Sequence, residues 1–235
     1  MLLHRTRQRI AYKTKAFIFD LAGLHEVVDV REKNRLEDSM GFRGKFDEHR
    51  RFQMALLKEQ GLIPSHKFLE IGCGPLTGGI PIIEYLEPGN YIGIDIRSSV
   101  LDLSWKEVGK AGLSAKNPRL ICSSSFGSSE LADEKFDYIF SFSILFHLNE
   151  ERLASYFNTV RYRLKSQGVC LANVNIAYDE STWLEFPFVK RTLQQYQELA
   201  TKEGLKMKCV GEERDLGFRL SRQEGRNQVL SFGVG

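Results

Sequence analysis

From residue 62 onward the chain alternates short apolar runs with longer amphipathic stretches. The runs at 67–71, 90–95, 119–122, 137–141, 168–174, 206–211 and 227–232 have strand length and little internal polarity, as strands covered on both faces do. Between them, 76–86, 98–111, 150–164 and 191–203 carry helical patterning. This alternation predicts an α/β fold, a doubly wound and mostly parallel seven-stranded sheet with helices on both faces. Ahead of the first strand, Phe46, Phe52, Met54, Leu56 and Leu57 predict an amphipathic helix over 46–60, ended by Gly61. Residues 1–45 read as an N-terminal helical arm or lid, and 46–235 as the main domain.

The densest chemistry lies at the first strand. Glu70-Ile71-Gly72-Cys73-Gly74-Pro75 puts an acid at a strand tip, then two glycines one residue apart, then a proline. Glycines there let the backbone turn sharply and approach a ligand without side chains between. Pro75 suits the first turn of a helix, where a missing N–H is no loss. The helix would then present its N–H groups at the turn. A dinucleotide loop requires a third glycine where Thr77 stands, and Gly78 is one position late. The turn alone thus fits either a nucleotide site or a tight strand-to-helix corner. A second strand ends in Asp95, where an acid can accept from ribose hydroxyls. A third block, Phe136-Asp137-Tyr138-Ile139, opens a buried strand that runs through Ser141-Phe142-Ser143 to His147.

Together these blocks resemble the class I S-adenosylmethionine-dependent methyltransferases, whose signature is an acid-x-Gly-x-Gly turn, an acid ending the second strand and a Phe-Asp-apolar fourth strand. Leu164-Lys165-Ser166-Gln167-Gly168-Val169 is similar to that family's turn into its fifth strand, with Ser166 and Gln167 replacing a proline and a glycine. The resemblance spans roughly 45–233 and carries an antiparallel strand at the end of the sheet. It implies S-adenosyl-L-methionine as cofactor. Gly72, Cys73 and Gly74 would pass close to its methionine and ribose. Asp95 would take the ribose hydroxyls, and Ile96 would pack on the adenine. Glu70 would orient the loop or accept from the ammonium; equally, it can be a structural carboxylate bonding loop N–H groups. Against Asp95 as an N-cap of the helix over 98–111, Ser98 is the better-placed cap. Where the family often reads the adenine edge with an acid, this chain has Ser124 and Ser125, whose hydroxyls can donate or accept. Ser141 and Phe142 would line the transfer centre.

His147 is the candidate catalytic base, since a histidine accepts a proton near neutral pH; the alternative is a histidine packed under its loop. His49, Tyr12 and Arg43 are weaker substrate candidates. Trp183, Phe186 and Phe188 form an aromatic patch that either caps the substrate pocket or closes the core. Two absences narrow the chemistry. There is no Asn/Asp-Pro-Pro-aromatic motif, which disfavours transfer to an adenine or glutamine amide nitrogen. There is also no acid at the fourth strand's tip, which disfavours a magnesium-bound catechol mechanism.

Composition adds bounds. At 42% hydrophobic and 27% charged, the 235 residues are ordinary for a soluble globular chain. The net charge of +3 is too mild to argue for nucleic acid. Residues 1–60 hold 13 Lys/Arg against 9 Asp/Glu, which leaves −1 for the rest. That basic arm reads as a solvated face, a lid or homodimer contact, or a membrane-surface contact. The four cysteines lack Cys-x-x-Cys spacing, so no metal site is expected. Cys122 and Cys170 lie in apolar runs and are expected buried and reduced, which fits the cytoplasm. No apolar run has the length of a membrane span, and the basic start makes a poor signal peptide.

The expectation is therefore a metal-independent methyltransferase acting on a small molecule, most readily at a hydroxyl, with a loose resemblance to bacterial enzymes of polysaccharide or secondary-metabolite pathways. The rivals are a nicotinamide-dependent oxidoreductase, a nucleic-acid methyltransferase and a non-catalytic methyltransferase-like subunit.

Overall fold

The computed structural model describes residues 46–176, 181–183, 186–218 and 227–235. The basic arm, with Tyr12 and Arg43, lies outside them.

Among the described residues, seven strands form one sheet: β1 (Phe68–Ile71), β2 (Tyr91–Asp95), β3 (Arg119–Cys122), β4 (Phe136–Ser141), β5 (Leu164–Asn175), β8 (Leu205–Glu212) and β9 (Asn227–Val234). Their order is β3-β2-β1-β4-β5-β9-β8. The first five run parallel, and β9 is antiparallel to both β5 and β8. This is the mostly parallel, doubly wound architecture expected from the alternation. The chain reverses its order between β1 and β4, which opens a crevice at the carboxyl ends of those strands.

The two faces of the sheet differ in chemistry. On one, Leu69, Ile71, Ile92, Ile94, Ile139, Cys170, Ala172 and Val174 meet Leu153, Tyr156, Phe157 and Val160 of α4 (Glu150–Arg163) and Tyr196 and Ala200 of α5 (Leu193–Lys202). The period-2 alternation of strands sends the intervening residues to the other face. There the rings run in series: Tyr91 and Tyr138 stack on Phe68, Phe68 meets Phe140, and Phe140 stacks on Phe142 at 5.4 Å. Phe142 in turn meets Phe52 and His49 of α1 (Phe46–Glu59). Glu70, Asn173 and Asn175 share this second face and are buried. The buried carboxyl and amide side chains of these strands thus lie on the side that α1 covers.

Local sequence explains most element ends. Gly61, at φ +93°, ends α1 as expected, with Leu62 donating back to Leu57. α4 begins at Asn149, whose side chain accepts from the Arg152 N–H, and α5 begins with a Thr192–Gln195 capping box.

Four expectations need correction. The helix predicted over 76–86 is α2 (Gly79–Tyr85). Pro75 is not in its first turn, because the chain spends 74–78 in tight turns with Leu76 left-handed at φ +59° and its side chain fully buried. Ser98 does not cap α3 (Ser98–Lys110); it is already helical, and Arg97 stands at the cap position. Cys122 is exposed, because β3 is an edge strand, while Cys170 is buried with its thiol pushed up to about 12 by desolvation. The turn expected at 164–168 is the start of β5, which α4 enters directly; a register shift between Phe136 and Tyr138 absorbs the mismatch. The segment after β5 also holds a hairpin that patterning did not reveal, β6 (Ser181–Trp183) with β7 (Phe186–Phe188).

Phe140 lies fully buried between Phe68 and Phe142. Phe140→Ala is expected to cost about 3–5 kcal/mol of unfolding free energy, as for other buried aromatic truncations, and urea denaturation followed by circular dichroism measures it.

Candidate active site

The site is assembled at the carboxyl ends of β1, β2, β4 and β5. Gly72 and Gly74 both adopt left-handed backbone, at φ +79° and +51°, a region in which glycine alone carries no Cβ penalty. The turn is pinned from β2. The N–H groups of Gly72 and Cys73 donate to the Ile94 carbonyl at 2.7 and 2.9 Å, and Gly74 N–H donates to Asp95 Oδ2 at 3.0 Å. Ser104 of α3 donates to the Gly74 carbonyl at 2.8 Å. The other carboxylate oxygen of Asp95 accepts from the backbone N–H and side-chain Nε of Arg97. Asp95 is only 5% exposed, whereas the next residue, Ile96, is 52% exposed. A carboxylate at a strand tip beside an uncovered apolar side chain suits ribose hydroxyls and a flat base.

Glu70 lies beneath the turn. The Tyr91 hydroxyl donates to its Oε2. Desolvation raises the Glu70 carboxyl to about 8, against the lowering effect of that hydrogen bond and with the nearby Asp95 charge adding to the rise. This places Glu70 as a buried acid inside the fold. Cys73 is likewise turned inward: burial first, and then the Glu70 and Asp95 charges, push its thiol well above the ordinary range. A Cβ at Gly93 would lie 3.0 Å from the Cys73 Sγ, so the sulfur fills the space that Gly93 leaves. Cys73 therefore offers the crevice its backbone.

The late glycine has a packing reason. A Cβ on Gly78 would stand 1.7 Å from Gln53 Oε1, and Arg50 Nε donates to the Thr77 carbonyl at 2.7 Å. Gly78 lets α1 dock on the turn. Sequence reasoning missed Gln53; Gly78 itself, out of place for a dinucleotide loop, was the available signal.

At the end of β4, Ser141 is fully buried and its Oγ accepts from the Tyr156 hydroxyl at 2.9 Å, on the α4 side. Phe142 is 9% exposed and faces α1. Ile144 packs on Gly72, where a Cβ would come within 2.1 Å of Ile144 Cδ1. His147 ends a short 3-10 turn, Leu145–His147. Its Nδ1 bonds the Pro187 carbonyl at 2.8 Å, and its ring meets Phe186 and Phe188 of β7. Because a carbonyl only accepts, Nδ1 carries the proton and the lone pair sits on Nε2. Burial lowers the His147 pKa, partly opposed by the Pro187 bond. His49 is buried too, its pKa taken down to about 4 by desolvation and by the adjacent Arg50 charge. Ser124 is exposed and Ser125 half-buried, beside Ser123, whose Oγ accepts from the N–H groups of Ser125 and Gly127. The structure thus brings Gly72, Gly74, Asp95, Ile144 and Gln53 together at one turn and sets His147 against the hairpin.

Residues 69–170 match the model of a family described as a methyltransferase domain. That likeness covers 102 of the 235 residues. No curated protein matches the sequence. Among solved structures, the chain is similar to an S-adenosylmethionine-dependent methyltransferase from Clostridium acetobutylicum ATCC 824, with 15% identity, 96% of this chain and 99% of that one covered, and a TM-score of 0.63. It is also similar to the magnesium protoporphyrin IX methyltransferase of Synechocystis PCC 6803 with bound SAM, at 12% identity, 81% and 83% coverage and a TM-score of 0.60. A glycopeptide N-methyltransferase complexed with sinefungin matches at 14% identity, 78% and 94% coverage and a TM-score of 0.63. At such identities the structural matches establish the fold. In this chain the Asp95 carboxylate, the exposed Ile96 and the left-handed glycine backbone offer partners of the kinds that the ribose, adenine and amino acid portions of such a cofactor require.

The buried Glu70 generates a testable sign. Its folded pKa of about 8 exceeds the ordinary 4.5, so the native state holds a proton that the unfolded chain releases. That contribution is fully present below about pH 4.5 and declines as pH rises toward 8. Glu70→Gln removes the titration. Its melting temperature relative to the parent should therefore rise from pH 5 to pH 8 in paired calorimetric scans, and an unchanged difference would contradict the burial argument.

Proposed function

We propose that this chain is an S-adenosylmethionine-dependent methyltransferase acting on a hydroxyl of a small-molecule acceptor, without a metal, and in the cytoplasm, with residues 1–45 as an N-terminal arm or lid and 46–235 as the methyltransferase domain. The observation that carries the reading is the 2.8 Å bond between His147 Nδ1 and the Pro187 carbonyl, at the end of the loop whose Ile144 packs on Gly72. When bound, S-adenosylmethionine supplies a sulfonium methyl and keeps the electron pair of the broken bond on its sulfur. The protein's part is positioning and proton management. Asp95 would hold the ribose hydroxyls, Ile96 would face the adenine, and Ser124 and Ser125 would lie at its edge. Nε2 of His147 would take the acceptor's hydroxyl proton while Pro187 steadies the imidazolium through Nδ1–H. Because burial lowers the His147 pKa, the ring is neutral and ready to accept at physiological pH.

Support for the small acceptor comes from the wall around His147, where Phe146, Phe186 and Phe188 supply flat apolar contacts. Among the described residues no three His, Cys, Asp or Glu side chains group as a metal site. No described helix is long and apolar enough to cross a membrane.

Calorimetric titration with S-adenosylhomocysteine should give saturable binding, and NADH should give none; the reverse pattern would sink the reading in favour of an oxidoreductase. Once an acceptor is found, His147→Ala should lower kcat by about 10²–10⁴-fold, the range of a lost general base, with S-adenosylhomocysteine affinity kept. Full turnover by that variant would reject the base.

A further inference from the structure

Ser143 is a non-glycine residue in the left-handed region, at φ +60°, placed one residue beyond Phe142 and one before Ile144. Such a conformation persists only where its surroundings fix it. Its N–H donates to Asn173 Oδ1 at 2.5 Å. The same amide, through Nδ2, donates to Glu213 Oε1 at 2.7 Å. Asn173 and Glu213 are 4% and 2% exposed, so the bonds are shielded from water. Because a carboxylate oxygen accepts, it draws the NH2 end of Asn173 toward itself and leaves the carbonyl end for Ser143.

Glu213 is itself held. It follows β8, its backbone N–H donates to the Asn227 carbonyl at 3.0 Å, and its own carbonyl accepts from Phe218 N–H at 2.8 Å. Desolvation pushes its carboxyl up to about 7, against the hydrogen bonds from Asn173 and Asn227 and with the Glu212 charge adding to the rise. Phe218 closes the same turn on α1, stacking on Phe52 at 4.8 Å and meeting the His49 ring at 5.2 Å. The segment from Glu213 to Phe218 therefore grips the site twice, at the β4 tip and at α1.

We propose that Glu213 is a positioning residue for methyl transfer: by orienting Asn173 it holds Ser143 left-handed, and so sets Phe142 and Ile144 against the cofactor turn and presents the loop that leads to His147. This rests on the methyltransferase reading of the site.

The test compares Glu213→Gln, Glu213→Leu and Asn173→Ala in the full chain by S-adenosylhomocysteine calorimetry and by hydrogen exchange over 142–147. Glutamine keeps a carbonyl that accepts from Asn173, so Glu213→Gln should bind within about twofold of the parent. Glu213→Leu and Asn173→Ala should each bind roughly tenfold more weakly, and the double variant no worse than either, as expected within one network. Exchange at 142–147 should speed up in the two weak binders and not in Glu213→Gln. Asn173→Ala leaves the Glu213 turn intact and keeps the test alive should Glu213→Leu fail to fold. Glu213→Leu or Asn173→Ala binding like the parent, with unchanged exchange, would overturn the role of Glu213 alone. A parent protein that binds no S-adenosylhomocysteine would overturn the methyltransferase reading beneath it.

Discussion

The rest of the site depends on the bond between the Gly74 N–H and Asp95 Oδ2, made across 21 residues of sequence at 3.0 Å. It couples two strand tips that the chain reaches separately. With Gly72 and Cys73 both donating to Ile94, it leaves the turn little freedom, since a buried carboxylate that lost its donors would remain desolvated at high cost. Asp95 is thereby held in place, with Arg97 on its other oxygen. A carboxylate already fixed by protein donors can bind ribose hydroxyls without first losing side-chain entropy, which is what preorganisation means energetically.

That constraint would be local were the sheet not divided by face. The α4–α5 side is almost wholly apolar. The α1 side combines stacked rings with Glu70, Asn173 and Asn175. Burying carboxyls and amides is tolerable there because each meets a designated partner: Tyr91 for Glu70, Ser143 and Glu213 for Asn173, Asn227 for Asn175. Where desolvation outweighs those partners, the carboxyl is driven toward its neutral form, as at Glu70 and Glu213. The polar groups thus converge at the carboxyl ends of the strands, where the strand order reverses.

Most of the sheet was legible because its strands are buried on both faces and read as unbroken apolar runs. The glycine turn and Asp95 were legible because their spacing is local. The errors follow from the same physics. Cys122 lies in an apolar run, but edge position is a property of topology, and exposure followed from it. Pro75 and Ser98 carry the right residue types for helix starts, yet packing of Leu76 and the bonds of Asp95 moved both boundaries. Gln53, Asn173 and Glu213 could not be read in advance. Each acts through a partner between 25 and 40 positions away, and no local pattern encodes such a distance.

The asymmetry between donor side and acceptor side has a physical origin. A cofactor held by backbone N–H groups and strand tips demands glycines and acids at set positions, and those leave a recognisable trace. The side proposed for the acceptor is assembled differently. α1 approaches through a gap left by Gly78, the hairpin carries Pro187 to His147, and the turn after β8 supplies Glu213 and Phe218. These three segments lie outside the parallel core. Their chemistry is set by shape and by single hydrogen bonds, so one framework can change acceptor by altering them while the turn at Gly72–Gly74 stays fixed.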